Sequence, residues 1–169
     1  MPMEYNHLPA HERIAATVAA LAARGITALL VQSKKEALQK INSLIPDGAS
    51  VMTGASVTLE QIGFVEHLKS GNHPWKNLKA EIVAEKDPAV QKTLRKQATL
   101  ADVFVGSVHA VTEHGELVIA SNTGSQLPAY AHTSDHIIWA VGTHKIVATM
   151  DAAMQRLEDY VVPREDEHM

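Results

Sequence analysis

Three stretches of the chain leave an apolar run through glycine into hydroxyl-bearing residues, a pattern suited to holding a small anion. The first is Gly54-Ala55-Ser56-Val57-Thr58, with Glu60 in the turn that follows. The second, Gly106-Ser107-Val108-His109, runs on to Thr112, Glu113, His114 and Gly115. The third is Asn122-Thr123-Gly124-Ser125. Where a strand ends in glycine and a helix begins, free backbone amides and the positive end of the helix dipole favour phosphate or carboxylate. Lys145, just past a further apolar run in Gly142-Thr143-His144-Lys145, can add a full charge. Each of these features also has a plain structural use. Ser56 and Thr58 are good helix caps, Thr123-Gly124-Ser125 suits a loop, and a lysine at a strand end is commonly just solvated.

Acid–base and nucleophilic candidates are few. His109 has the right ordinary pKa for proton transfer near neutrality, although a neutral histidine bonded to backbone fits the same position. Acyl transfer through a carboxylate nucleophile would need a glutamate at a strand end, and Glu113 and Glu60 are the two available. His132 and His136 stand four apart, but the segment leaves a helix and enters a strand, which points the rings apart, so no metal site is expected. No nucleophile-elbow, P-loop or dinucleotide-binding pattern occurs. With no cysteine, disulfides, iron–sulfur clusters, thiolate zinc sites and a cysteine nucleophile are excluded.

Composition narrows the class further. The 169 residues carry 15 basic and 19 acidic side chains for a net charge of −4, and no stretch is strongly basic. Binding nucleic acid by phosphate neutralisation is therefore not expected. Apolar residues at 46% and charged residues at 20% describe a globular chain. No run of 18 apolar residues occurs and no basic segment leads into an apolar one at the N-terminus, so the expectation is a cytoplasmic protein without a membrane span.

The elements that must position these residues alternate. Helices are predicted from His11 to Arg24, from Ser33 (a capping box with Glu36) to Ile45, from Thr58 to Gly71, and from Asp87-Pro88 onward. Thr123–His132 is expected to begin as a glycine loop and become a helix, and a final helix is capped by Asp151 with Met154, Leu157 and Val161 inward. Strands are predicted at Ile26–Val31, Ser50–Thr53, Glu81–Ala84, within Asp102–Thr112, at Leu117–Ala120 and at Ile137–Val141, with a hairpin around Glu113–Glu116. Trp139 reads as core and Trp75 as a surface residue. The pattern predicts an α/β fold, three-layer α/β/α, around a mostly parallel central sheet covered on both faces. One domain is expected over residues 1–163, with a polar, frayed tail over 164–169.

Taken together, Ile45–Gly63 (IPDGASVMTGASVTLEQIG), Ala101–Val118 (ADVFVGSVHAVTEHGELV), Asn122–Ala129 (NTGSQLPA) and Ile137–Val147 (IIWAVGTHKIV) resemble the LUD family, the lactate-utilisation proteins of the LutC/YkgG type. The resemblance covers roughly residues 10 to 163. It implies the NagB/RpiA/CoA transferase-like fold shared with ribose-phosphate isomerase, glucosamine-phosphate deaminase and CoA transferases. It also implies a role in oxidation of L-lactate to pyruvate beside iron–sulfur partner subunits, with clusters or flavin held by the partners and no cofactor of its own. The ligand would be a small anion held by Gly54, Ser56, Thr58, Gly106, Thr112, Asn122, Thr123, Gly124, Ser125 and Lys145, on loops meeting along one rim. Alternatives within the same fold are a stand-alone sugar-phosphate isomerase, an acyl-CoA transferase, or a non-catalytic ligand-sensing module. The second and third segments also resemble methylthioribose-phosphate isomerase, but His109 stands where those enzymes carry aspartate. A domain this small leaves little room to enclose a ligand, which leaves association into a homo-oligomer open.

Overall fold

The computed structural model describes residues 5–166. Local signals account for most of the elements. Helix α1 (His11–Ala23) stops at Arg24 and Gly25, the latter at φ +78°. Helix α2 (Lys34–Leu44) opens on Ser33, whose hydroxyl accepts from the Glu36 amide, while the Glu36 carboxylate accepts from the Gln32 amide. After β1 (Ser50–Thr53), the single predicted helix is two, α3 (Val57–Gln61) and α4 (Phe64–Ser70). Gly63 divides them at φ +81°, in the left-handed region.

Next come β2 (Lys76–Asn77) and α5 (Leu78–Ala84), so the expected strand at Glu81–Ala84 is helix. The Asn77 side chain caps it by accepting from the Ala80 amide, and Leu78 and Ile82 lie one helical turn apart. Helix α6 (Pro88–Gln97) begins at Asp87, which accepts from the Ala89 amide at 2.7 Å. Strands β3 (Val103–Gly106), β4 (Ala110–Thr112) and β5 (Leu117–Val118) follow, then a π-helical turn at Ala129–Thr133. Strand β6 (His136–Trp139), β7 (Ile146–Val147), α7 (Met150–Arg156) and, after a π-helical turn at Leu157–Val161, α8 (Val162–Asp166) complete the order. Of the tail expected at 164–169, residues 164–166 belong to α8 and 167–169 lie outside the described residues. Among the described residues no helix is long and apolar enough to cross a membrane.

The chain divides into two compact units. Val31–Ser107 and Ser121–Ala140 form the α/β unit, whose four strands run β2-β1-β3-β6, all parallel. Register places Val51 beside Val103, Thr53 beside Val105, and Val105 beside Ile138. That row packs with Ile41 of α2, Leu59 of α3 and Phe64 and Leu68 of α4. Phe104 points to the opposite face and meets the Tyr130 ring edge-on at 5.2 Å between centroids. The path steps from β1 outward to β2 and then back across to β3, and right-handed crossovers in opposite directions lie on opposite faces. This is the expected three-layer α/β/α arrangement. Phe64 and Phe104 are almost wholly buried, each worth roughly 1.5–3 kcal/mol relative to exposure.

The described parts of Met1–Leu30, Val108–Ala120 and Val141–Met169 form the other unit. Its sheet, β5-β4-β7, joins β4 to β5 antiparallel and β4 to β7 parallel, which confirms the expected hairpin. Arg24 secures the turn by donating to the His114 carbonyl at 2.8 Å and pairing with Glu116 at 3.1 Å. Thr112 donates its hydroxyl to the Glu116 carboxylate.

Three apolar expectations change. Ile26–Val31 forms no strand and belongs to neither sheet, and Leu29 and Leu30 are 50% and 53% exposed. Apolarity alone supplies no hydrogen-bonding neighbour. Trp75 is buried in the core against Phe64 and His73 rather than on the surface. The cap of α7 is Thr149, accepting from the Ala152 amide, instead of Asp151. That helix consequently buries Ala153 and Arg156 while Met154 is exposed.

Gly115 generates a stability prediction. It sits at φ +82° with the Ala20 backbone 2.8 Å from where a Cβ would lie. Gly115→Ala should destabilise the protein by about 1–3 kcal/mol in urea unfolding, since both the conformation and the space disfavour a side chain. Wild-type stability in that variant would show that the turn can move away from α1.

Candidate functional site

The candidate residues fall into the two units. Gly54, Ser56, Thr58, Glu60, Gly106 and Asn122 to Ser125 belong to the α/β unit; His109, Thr112, Glu113 and Lys145 belong to the other. In the α/β unit, β1 and β3 are parallel neighbours, so Gly54 and Gly106 leave the sheet at the same, carboxyl, end. The direction of chain travel reverses here, where open α/β sheets commonly hold ligands.

Tyr130, not singled out by the sequence, occupies this end. Its hydroxyl lies 1.8 Å from where a Gly106 Cβ would be, so glycine is the residue that admits the phenol. The hydroxyl accepts from the Ser107 amide, and burial raises the phenol pKa, keeping it protonated at neutral pH. Ser107 donates its own hydroxyl to the Ala140 carbonyl at 2.7 Å. The Trp139 ring lies 5.6 Å from that of Tyr130, and its buried indole N–H has no acceptor among the described residues. Nothing in the linear sequence ties Tyr130 to Gly106, twenty-four positions away.

The hydroxyls of the predicted loops are largely used by those loops. Ser56 caps α3 by accepting from the Leu59 amide at 3.3 Å, and α3 is only five residues long, so its dipole is slight. Thr58 lies in its first turn and Glu60 is exposed. Thr123 donates to Ser125 at 3.0 Å, and the Gly124 amide donates to Ser121 at 2.9 Å, with Gly124 itself at φ +70°. Asn122, Thr123 and Ser125 are exposed.

In the second unit the charge is concentrated. The ammonium of Lys145 donates to the Val108 carbonyl at 2.9 Å, and the Arg156 guanidinium donates through Nε to the next carbonyl, that of His109, at 3.0 Å. Arg156 also donates to the Tyr5 carbonyl at 2.8 Å and lies over the Tyr5 and Tyr160 rings, 5.5 and 4.9 Å from their centroids. It is 2% exposed. The His109 ring accepts from the Ala120 amide at Nδ1, 3.1 Å away. Burial, then the nearby Lys145 charge, lowers the His109 pKa. Burial followed by Arg156 does the same for His144. Lys145 falls from its ordinary 10.5 to about 8, through burial and then Arg156.

Thr112 is buried beneath the turn, and Glu113 is held by Arg13, 2.6 Å away. Among the described residues no three His, Asp or Glu side chains are grouped as a metal ion would require. Arg156 is the member of the charged cluster that the functional reading of the sequence passed over. Arg156 follows helical spacing from Thr149 and Ala153, where a charged residue in an inward position was the available signal.

The LUD domain family model matches residues 14–168, and the chain belongs to that family. No curated protein and no solved structure matches it.

The depressed Lys145 pKa has a signed consequence. Between about 8 and 10.5 the unfolded chain binds more protons at this lysine than the folded one, so its charged-form penalty is relieved as pH rises through that window. Lys145→Met should therefore gain stability relative to wild type at pH 7.5 and lose that advantage by pH 10, measured by urea unfolding at each pH. A difference independent of pH would contradict desolvation of Lys145.

Proposed function

We propose that the protein supports oxidation of L-lactate to pyruvate in the cytoplasm, beside iron–sulfur partner subunits, and binds a small anion in doing so. The observation that carries this reading is the LUD domain match over nearly the whole chain. Lactate oxidation releases two electrons and two protons. With no cysteine in the sequence, the chain has no thiolate to hold a cluster, so the electrons would pass to clusters or flavin on the partners. The buried cations of the second unit support recognition of a negatively charged ligand.

Affinity capture of the tagged full-length chain from cells grown on lactate should bring down a partner with the visible absorption of an iron–sulfur protein. Deleting the gene should abolish or slow growth on lactate while leaving growth on glucose unchanged. Normal growth on lactate together with capture of no cluster-bearing protein would overturn the reading.

A further inference from the structure

The geometry points to a binding site for a carbonyl oxygen in the α/β unit, made by the indole N–H of Trp139 and the phenol O–H of Tyr130 at the carboxyl end of β3 and β6. The ligand class is a small molecule carrying a ketone, amide or carboxylate oxygen. The site goes beyond the anion reading above, because no cation takes part in it.

The register of the sheet brings the two donors together. Strands β3 and β6 are parallel neighbours with Gly106 beside Trp139. Side chains at both positions therefore leave the sheet on the face that Phe104 also uses, from strands about 4.8 Å apart. Glycine has no side chain to send there, and the Tyr130 hydroxyl takes its place. The phenol ring meets Trp139 at 5.6 Å between centroids and 65°, and Phe104 at 5.2 Å and 80°.

Each donor lacks an acceptor. The Trp139 Nε1 atom is buried and bonds to no described residue. The Tyr130 oxygen accepts from the Ser107 amide, which turns the phenol proton elsewhere, and no described residue takes that proton. Buried donors are nearly always paired, and an unpaired one costs stability that an acceptor restores. Two on adjacent rings suit one acceptor group with lone pairs toward both, and a carbonyl oxygen has two.

The surroundings select against high charge. Among the described residues no Lys or Arg lies over these three rings, and no charged group acts on the phenol. A phosphate dianion would be desolvated there without a countercharge. Because the indole nitrogen is sealed from solvent, the acceptor enters as the turn carrying Tyr130 gives way. That turn, Ala129–Thr133, is π-helical, a form frequent at functional sites.

The test is an NMR titration of the indole N–H signals of the isotope-labelled full-length protein, at constant ionic strength, with pyruvate, acetamide and inorganic phosphate. The chain holds two tryptophans. Trp75, in the core on the opposite face of the sheet, reports in the same spectrum whether the fold is intact. The expected result is saturable downfield movement of the Trp139 signal with pyruvate, acetamide or both, and no saturable response to phosphate. Affinity should fall about tenfold in Tyr130→Phe, which removes one donor. A response to acetamide alone marks a neutral carbonyl, and a response to pyruvate alone a carboxylate-bearing one. Should Tyr130→Phe disturb the Trp75 signal, Trp139→Phe takes its place, read through the Ser107 amide, whose response should weaken by the same factor. A Trp139 signal that moves with neither carbonyl ligand, that moves as much with phosphate, or that responds unchanged in Tyr130→Phe overturns the site. The lactate role stays with capture of the partner, which none of these outcomes touches.

Discussion

The α/β unit depends on one strand. Val103 to Gly106 is buried at every position and bonded along both edges, to Ser50–Thr53 on one side and His136–Trp139 on the other. A parallel strand in that position has no wet face, so Val103 and Val105 must be covered from one side and Phe104 from the other. The helices at 34–44 and 57–70 meet the first demand, and the turn carrying Tyr130 helps meet the second. The layers, the reversal of chain direction and the shared exit of Gly54 and Gly106 all follow from this pairing.

The other unit is organised around charge. Arg156 is buried within the helix that follows the parallel strand, and it ties the His109 and Tyr5 carbonyls together between two phenol rings. Carbonyl dipoles and ring faces hold a guanidinium in place, and they leave its field to act on neighbours. The field and the burial together push His109, His144 and Lys145 in the same direction, toward their neutral forms.

The signals readable in the chain were those completed within four residues. Ser33 with Glu36 and Asp87 with Pro88 mark helix starts because cap and amide are near neighbours. The hairpin at 113–116 was legible for the same reason. Ile26–Val31 misled because a short apolar run states a preference for burial without naming a partner strand. Trp75, beside proline and lysine in a polar stretch, read as surface; its burial depends on Phe64 and on His73 stacked at 4.8 Å. The glycine–hydroxyl loops suggested ligand contacts, and in the structure their hydroxyls chiefly cap and brace the loops themselves.

By itself the sequence determined the class of fold, most helix starts, the hairpin and the family, since these rest on periodicity, short-range caps and the order of segments along the chain. Two of the site residues it named, His109 and Lys145, lie in the charged cluster. Only the tertiary structure decided that Arg156 is buried in the same unit, that Gly106 makes room for Tyr130, and that the Thr123 and Ser125 hydroxyls bond to one another. Burial, electrostatic coupling and the space beside a glycine depend on which distant residues are brought within a few ångströms, and linear order does not specify those distances.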